Sequence, residues 1–455
     1  MPSSTRPPDV RLAVAAGAAT TEAVAMDARD RMLAQAEPEP SDDLAAGVAV
    51  AIRRLLDGGD VDPARVSRVI VGAGHALARV VDERTVGRVA VIRIGGPLTH
   101  AVPPLAAWPD ALRAALSAGV AVVGGGAEYD GRSVAPLDGE AIARFLAGLG
   151  DDVDGVAITG VFSPVAPDHE LAACELVRRE LGHGVHLSLS HELGTLGLIE
   201  RENSAILNAA LAGAARAMAA DLQRVLRGAR LDAEPFLSQN DGALMALDFA
   251  VRFPVLMLGS ESANAMRGAA HLTGLDEAVV VHTAGGMTEV GAVVHGFPRE
   301  APSAADVAGI RMGFRMPDVR RLGPDAGGDA LSRAVDRARA DLRAPPVVAV
   351  GRDAGMVLDH LPGVGPVLRP DGGDVAAAVG AAIARVTGHA DRICADRPDK
   401  RREALEAARD AAIARAVHAG ADRAAVQVVE VDEAALTYDV EPAVRIRVKV
   451  AGPPA

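Results

Sequence analysis

A small set of side chains could do chemistry in this chain. His75 follows Gly72-Ala73-Gly74 at the end of an apolar run, where it can either reach a pocket or cap the surface. His282 ends the run Ala278-Val279-Val280-Val281, and an imidazole there can serve a cleft as a general base or simply stand as a structural replacement. The turn Gln239-Asn240-Asp241-Gly242 offers an amide and a carboxylate on a polar bend. Asn264 and Arg267 stand in NAMRG near a helix start, where an arginine works against the helix dipole and needs a specific partner. Arg311, Arg315 and Asp318 in IRMGFRMPD either wall a cleft with ion pairs or pair at the surface. No metal site is read: His183 and His186 have no third ligand nearby, and Cys174 and Cys394, far apart, read as small buried hydrophobes.

Two stretches repeat one plan at an offset of 267 residues: LAVAAGAATTEAV at 12–24 and AVVVHTAGGMTEVGAV at 278–293. Each is an apolar strand, a small-residue turn, a Thr-Glu pair and a second apolar strand. The offset sets Thr21 on Thr288, Glu22 on Glu289 and Ala18 on Gly285, with Gly17 near Ala284. Turns of this kind can cradle phosphate oxygens with backbone N–H groups. The echo therefore reads either as a duplicated nucleotide-binding lobe or as two unrelated tight turns.

The elements that must position these groups alternate. SDDLAAGVAVAIRRLLDGG has a helix cap and a Gly stop, VSRVIVGAG and GRVAVIRIGG are apolar strands, and GEAIARFLAGLG, DGVAITGVFS, PDHELAACELVRRELG and GVHLSLS continue helix, strand, helix, strand. ENSAILNAALAGAARAMAADLQRVLRGAR reads as one long helix, opened by Glu200, Arg201, Glu202 and Asn203 as capping and dipole-compensating charges or as a lobe or subunit contact. PVLMLG reads as a strand, AMRGAAHLTG as a helix, and the chain turns helical from Val375 before closing in VQVVEVDEA and VRIRVKV. Gly380 and its alanine neighbours predict close helix packing. The alternation predicts an α/β fold, divided into a disordered lead-in at 1–9, a first lobe at 10–198, a second at 199–394, and a helical and strand extension at 395–455.

Composition narrows the function classes. The 455 residues carry a net charge of -13, against a basic nucleic-acid surface, and seven Phe, two Tyr and one Trp leave few stacking platforms for single strands. The opening MPSSTRPPDV has no apolar core of a signal peptide, and charge or Gly interrupts each apolar stretch, so a cytoplasmic protein without a membrane partner is expected.

Several stretches together resemble the A-type subunit of the hydantoinase and 5-oxoprolinase family: VAVIRIGGPLTHAVPPLAAWP, VAITGVFSPVAPDHE, LSLSHELGTLGLIERENSAILNAAL, SQNDGAL, NAMRGAAHLTGL, VHGFPREA and IRMGFRMPD. The resemblance runs from about Leu12 to Ile393, and EVDEAALTYD extends it. It implies two actin-like lobes, of the sugar-kinase and heat-shock ATPase superfamily, with ATP and magnesium in the cleft. It further implies ATP-coupled hydrolysis of a cyclic amide or imide, with a B-type subunit completing the reaction in many relatives.

The sequence departs from that pattern where ATP would bind. Each family hairpin carries an Asp followed by Gly-Gly-Thr; here Ala15 and His282 take the Asp positions, Ala18 and Ala19 replace Gly and Thr, and Ala284, Gly286 and Met287 form the second turn. An alanine methyl cannot hold hydrated magnesium, and imidazole is a poor ligand for a cation that selects oxygen. Glu22 and Glu289 stand where relatives have a second Asp. The family's Gly-Thr-Thr-His-Phe-Thr-Asn segment keeps only Gly72 and His75, its Gly-rich Ser loop is replaced by RRLGPDAGGDALSRA, and the adenosine loop reads VAVGRDAGMV, with Arg352 and Asp353 where close approach needs Gly.

Gly17, Thr21, Gly285, Thr288 and Gly351 are then remnants of nucleotide loops, and no cofactor is expected although the family uses ATP and magnesium. The expected role is a structural or regulatory subunit, beside a B-type subunit, an intact A-type paralogue or copies of itself. The alternative is a hydrolase of a small cyclic amide using a remodelled, ATP-independent cleft.

Overall fold

The computed structural model describes residues 9–17, 21–37, 41–194, 196–301, 305–324, 326–339, 345–436 and 442–455. The lead-in read at 1–9 lies outside them except for Asp9, as do Ala18 and Ala19 of the first turn and the end of EVDEAALTYD.

The first hairpin pairs Val10–Ala16 antiparallel with Thr21–Met26, setting Ala15 opposite Glu22 and Ala16 opposite Thr21. Met32–Ala36 continues outward, and on the other side Val66–Gly72 pairs parallel, with Ala15 beside Gly72. The second hairpin repeats this. Ala278–Ala284 and Met287–Val294 set His282 opposite Glu289 and Thr283 opposite Thr288, and Val347–Val350 lies parallel with His282 beside Val350. The 267-residue echo is therefore a duplicated arrangement with one register and one strand order, not two unrelated turns.

From this repeat the lobes diverge. The first sheet has nine strands, in the order Gln427–Leu436, Ala443–Gly452, Val386–Ala395, Leu244–Ala246, Glu234–Ser238, Val66–Gly72, Val10–Ala16, Thr21–Met26, Met32–Ala36. Strands at 234–246 and 386–395, which a linear division at 198 and 394 groups with the second lobe, thus hydrogen-bond into the sheet of the first. A separate four-stranded parallel sheet, Ser117–Gly124, Val89–Gly96, Gly155–Gly160 and His186–Leu189, has its own core around Ile92, Ile94, Ile158 and Cys174. Its central strand VAVIRIGG is apolar on both faces except for Arg93, because both faces are covered.

Two local readings need correction. PVLMLG is not a strand: Pro254–Met257 is a short 3-10 helix, since Pro254 lacks the N–H that a ladder needs. The helical stretch expected from Val375 is interrupted: after helix Ala376–Ala382, Val386–Ala395 is a ten-residue strand gripped along its length by Ala443–Gly452, and helix resumes over Pro398–His418. Cys394, read as buried, is partly exposed, whereas Cys174 is buried.

The helix Leu198–Gly228 passes between the sheets, and its length and apolarity come from burial rather than from a membrane. Of its opening charges, Glu202 belongs to the core with Arg201 and Asn203 rather than to a cap, while Glu200 in the first turn stays partly exposed. Arg93 in the middle of the apolar strand donates two hydrogen bonds of 2.6 Å to Glu202, both side chains about 1% exposed. Asn203 accepts from the Trp108 indole at 2.7 Å and donates to the Arg311 carbonyl. Arg93, Glu202 and Asn203 are thus bonded inside the chain.

Helix Ser260–Thr273 crosses helix Ala376–Ala382 in backbone contact. A Cβ on Gly268 would stand 1.8 Å from the Ala376 carbonyl oxygen, and one on Gly380 would stand 1.9 Å from that of Asn264. That crossing carries Glu261, Asn264 and the N–H groups of Ala377 and Ala378 to the face between the two hairpins.

Candidate functional site

His282, Glu289, Glu22 and Glu261 form an acidic group around the hairpins, in which Glu22 is buried and the others are partly buried. His282 Nδ1 lies 3.5 Å from Glu289 Oε2, which also accepts from the Ser262 hydroxyl at 2.7 Å, while Arg321 Nε donates to Oε1 at 2.8 Å. Burial pushes the Glu289 carboxyl up, but these partners outweigh it and hold it at about 2. Burial also disfavours the charged His282; the hydrogen bond and charge of Glu289, with Glu22 and Glu261, overcome that and raise its pKa, which favours an imidazolium.

Glu22 and Glu261 behave differently. Glu22 accepts from Ala377 N at 3.0 Å and Ala378 N at 3.3 Å, yet desolvation lifts it to about 7. Glu261 accepts from the backbone N of His75 at 2.7 Å and is likewise lifted by burial to about 7. His75 therefore sits at the edge of this group through its backbone, while burial lowers the pKa of its ring. Asn264 is completely buried, and neither amide atom has a hydrogen-bond partner; His282 Nε2 and Ser260 Oγ are also buried and unpartnered.

The second turn is already occupied by the chain. Asp353 Oδ2 accepts from Gly285 N at 2.7 Å, and Asp353 N donates to the Thr283 carbonyl. Gly351, at φ +95°, admits no side chain, because a Cβ would stand 2.5 Å from the Thr283 carbonyl oxygen and 2.8 Å from His282 Cδ2. Thr288 Oγ1 lies 3.4 Å from Thr283 Oγ1, and Thr21 is buried in the matching place of the first hairpin beside Gly17. His282, Gly285, Thr288 and Gly351 are thus brought together on the second hairpin, while Thr21 holds the matching place on the first and Asn264 lies against Gly72 beside Ala15. No group of three or more His, Cys, Asp or Glu residues is arranged to hold a metal among the described residues.

The remaining candidates lie elsewhere. Asn240, Asp241, Arg267 and Arg315 gather at the inner end of the nine-stranded sheet. Asp241 accepts from Thr387 Oγ1 at 3.1 Å, and its Oδ2 lies 3.3 Å from His389 Nε2; burial raises its pKa, but His389 and Lys449 overcome this and hold it well below the carboxylate range. Arg267 packs over Gly242 with its guanidinium 4.6 Å above the Phe297 ring, and burial lowers its pKa to about 10.

Arg311, Arg315 and Asp318 do not form one ion-paired wall. Arg311 is exposed and lies 3.6 Å from Glu200, Arg315 pairs with Glu300, and Asp318 accepts from Arg299 at 2.8 Å. Successive residues of this segment point to different neighbours, so spacing alone could not group them.

Sequence reasoning passed over Glu170, His191, His389 and Arg445. The first two stand within stretches that carry the resemblance, PDHE and LSLSHE, but no spacing rule joins residues 21 apart on separate elements.

Residues 11–181 match the family described as the hydantoinase/oxoprolinase N-terminal region. In fold, the chain is similar to the ATP-dependent caprolactamase from Pseudomonas jessenii, with a TM-score of 0.74 and 15% identity over 97% of this chain and 87% of that one. It is also similar to nucleotide-free acetone carboxylase, with a TM-score of 0.70 and 12% identity over 98% and 88% of the two chains. A search of curated proteins found no sequence match. Over residues 11–181 the chain is thus similar to the N-terminal region of the hydantoinase/oxoprolinase family, and as a whole it has the actin-like α/β fold of these structural neighbours.

Proposed function

We propose that this chain is an A-type subunit that no longer hydrolyses ATP and serves as a structural or regulatory partner in a cyclic-amide hydrolase-type complex, beside a B-type subunit or an intact A-type paralogue. The observation that carries this reading is the Asp353 carboxylate on the Gly285 amide, where a phosphate-cradling turn needs a free donor. The residues present also fit magnesium poorly. Ala15 offers a methyl, His282 is committed to Glu289, and Glu22 faces the Ala377 and Ala378 amides rather than an open metal position. The partner role draws support from the edge strand Gln427–Leu436, where Val428, Val429 and Val431 are 41 to 47% exposed.

Calorimetric titration with ATP and magnesium tests this: no binding is expected at about 1 mM, a concentration that would detect a weak site. A low-micromolar dissociation constant would refute it.

A second reading, ATP-independent hydrolysis of a small cyclic amide, is favoured by the unpartnered amide of Asn264 and the unpartnered Nε2 of His282, which could hydrogen-bond such a ring. It requires turnover of a hydantoin or lactam by the isolated chain, lost in both Asn264→Ala and His282→Ala.

A further inference from the structure

Away from the hairpins, a cavity of about 920 Å³ opens between the Asn240-Asp241 turn, strand Val386–Ala395, helix Pro398–His418 and residues 191–194 and 196–197. Its polar lining is unbalanced. Each of the three lining carboxylates already has a partner in the chain: Asp241 with Thr387 and His389, Asp391 with Arg447 Nε at 2.9 Å, and Glu192 with Arg252. The lining donors are only partly used: Arg315 pairs with Glu300, Arg445 lies 3.7 Å from Asp432 and His389 Nε2 faces Asp241, but Arg315 Nη2, Arg445 Nε, Asn240 Nδ2 and His389 Nδ1 are buried without a hydrogen-bond partner. Asn240 is 2% exposed, so its orphan amide is a cost that a ligand acceptor would remove. Beside these donors stand Phe249, Phe253 and Phe314, an apolar wall.

One further group completes the cavity. Glu170, fully buried, accepts from Gly160 N at 2.7 Å and from the Ser190 hydroxyl at 2.5 Å, and its Oε2 lies 2.6 Å from His191 Nδ1. The ring of His191 lines the cavity. With Nδ1 taken, Nε2 is the nitrogen left for a ligand, and it makes no hydrogen bond among the described residues.

We propose that this cavity binds a small organic carboxylate, its anionic end on Arg315, Arg445 and the Asn240 amide, its apolar body on the phenylalanines, and its far polar group within reach of His191. The donors match a carboxylate because guanidinium groups add opposite charge and a fork of N–H donors that fits its two oxygens, which a neutral amide matches less well. The site is separate from the hairpins, so the proposal stands or falls independently of the loss of ATP chemistry.

The test is calorimetry on the full chain with a series of carboxylates from acetate to phenylacetate, each beside its own amide. The expected result is that at least one carboxylate with an apolar tail binds below about 1 mM and at least tenfold more tightly than its amide. Arg445→Gln, whose side chain is 29% exposed and so tolerates change, should weaken that binding at least fivefold, with Arg445→Lys restoring part of it. Asn240→Ala should weaken it as well, and thermal melts of each variant separate lost binding from lost folding. The proposal is overturned if no carboxylate in the series binds, if amides bind equally well, or if folded Arg445→Gln binds as the parent does.

Discussion

His282 and Glu289 face each other across the second hairpin, Nδ1 to Oε2 at 3.5 Å, in the register position that Ala15 and Glu22 hold in the first. Their stabilisation has a pH signature. The folded pKa of His282 is raised above its ordinary 6.5, so its contribution is complete below pH 6.5 and lost as pH rises through the folded value. Glu289, held at about 2, contributes above its ordinary 4.5 and loses that contribution as pH falls towards 2. His282→Gln should therefore cost more stability at about pH 5.5 than at about pH 9 in urea unfolding. Equal costs at both values would contradict the pairing.

Glu22 and Glu261 predict a fall in stability with rising pH over a different interval. Both carboxyls are lifted from 4.5 to about 7 by burial, so the folded state binds protons that the unfolded state has released between those values. Stability falls from pH 4.5 to pH 7 and then levels. Glu22→Gln and Glu261→Gln keep an acceptor for the Ala377, Ala378 and His75 amides without the titration. Relative to the parent, each variant should gain stability between pH 5 and pH 8, measured as the difference in urea midpoints. A parent and variant running parallel over that range would show that the carboxyls titrate normally.

How much of this was legible depended on whether the signal was local. The Thr-Glu echo set the hairpin register, because period-two strands fix which residue faces which once the turn is placed. The sheet crossovers were not legible: Glu234–Ser238 pairs parallel with Val66–Gly72 across more than 150 residues, and nothing in either strand names its neighbour. The charges opening the long helix read as a cap because sequence shows acids near an N-terminus. It does not show that Arg93, isolated in an apolar strand 109 residues earlier, must find a carboxylate. In the site, His282, Thr288 and Gly285 came from the resemblance, whereas the Asp353 contact and the His191–Glu170 pair depend on loops that fold back from distant elements.

Arg93 and Glu202 test the cost of a buried pair. Leaving either charge without the other should destabilise the protein by about 3–5 kcal/mol, because the remaining ion has no water to replace its partner. Glu202→Gln and Arg93→Met should each show this in urea unfolding, and the double substitution Arg93→Met with Glu202→Leu should recover much of it. A double variant as unstable as the two single losses combined would mean that the pair does more than neutralise itself.

The helix crossing at Gly268 and Gly380 gives the last prediction. An added methyl at either position would meet a backbone carbonyl oxygen inside 2 Å, and neither neighbour is a side chain that can rotate away. The helices must separate, at a cost of about 1–3 kcal/mol or more for overpacking. Separation also draws the Ala377 and Ala378 amides away from Glu22, loosening the hairpin face from the helix that covers it. Gly213 provides the control: it lies in the long helix, and a Cβ added there would meet nothing within 4 Å, so Gly213→Ala should gain up to about 1 kcal/mol from helix propensity. Urea unfolding of Gly268→Ala, Gly380→Ala and Gly213→Ala should thus give two losses and one gain, and a tolerated Gly268→Ala would refute the close crossing.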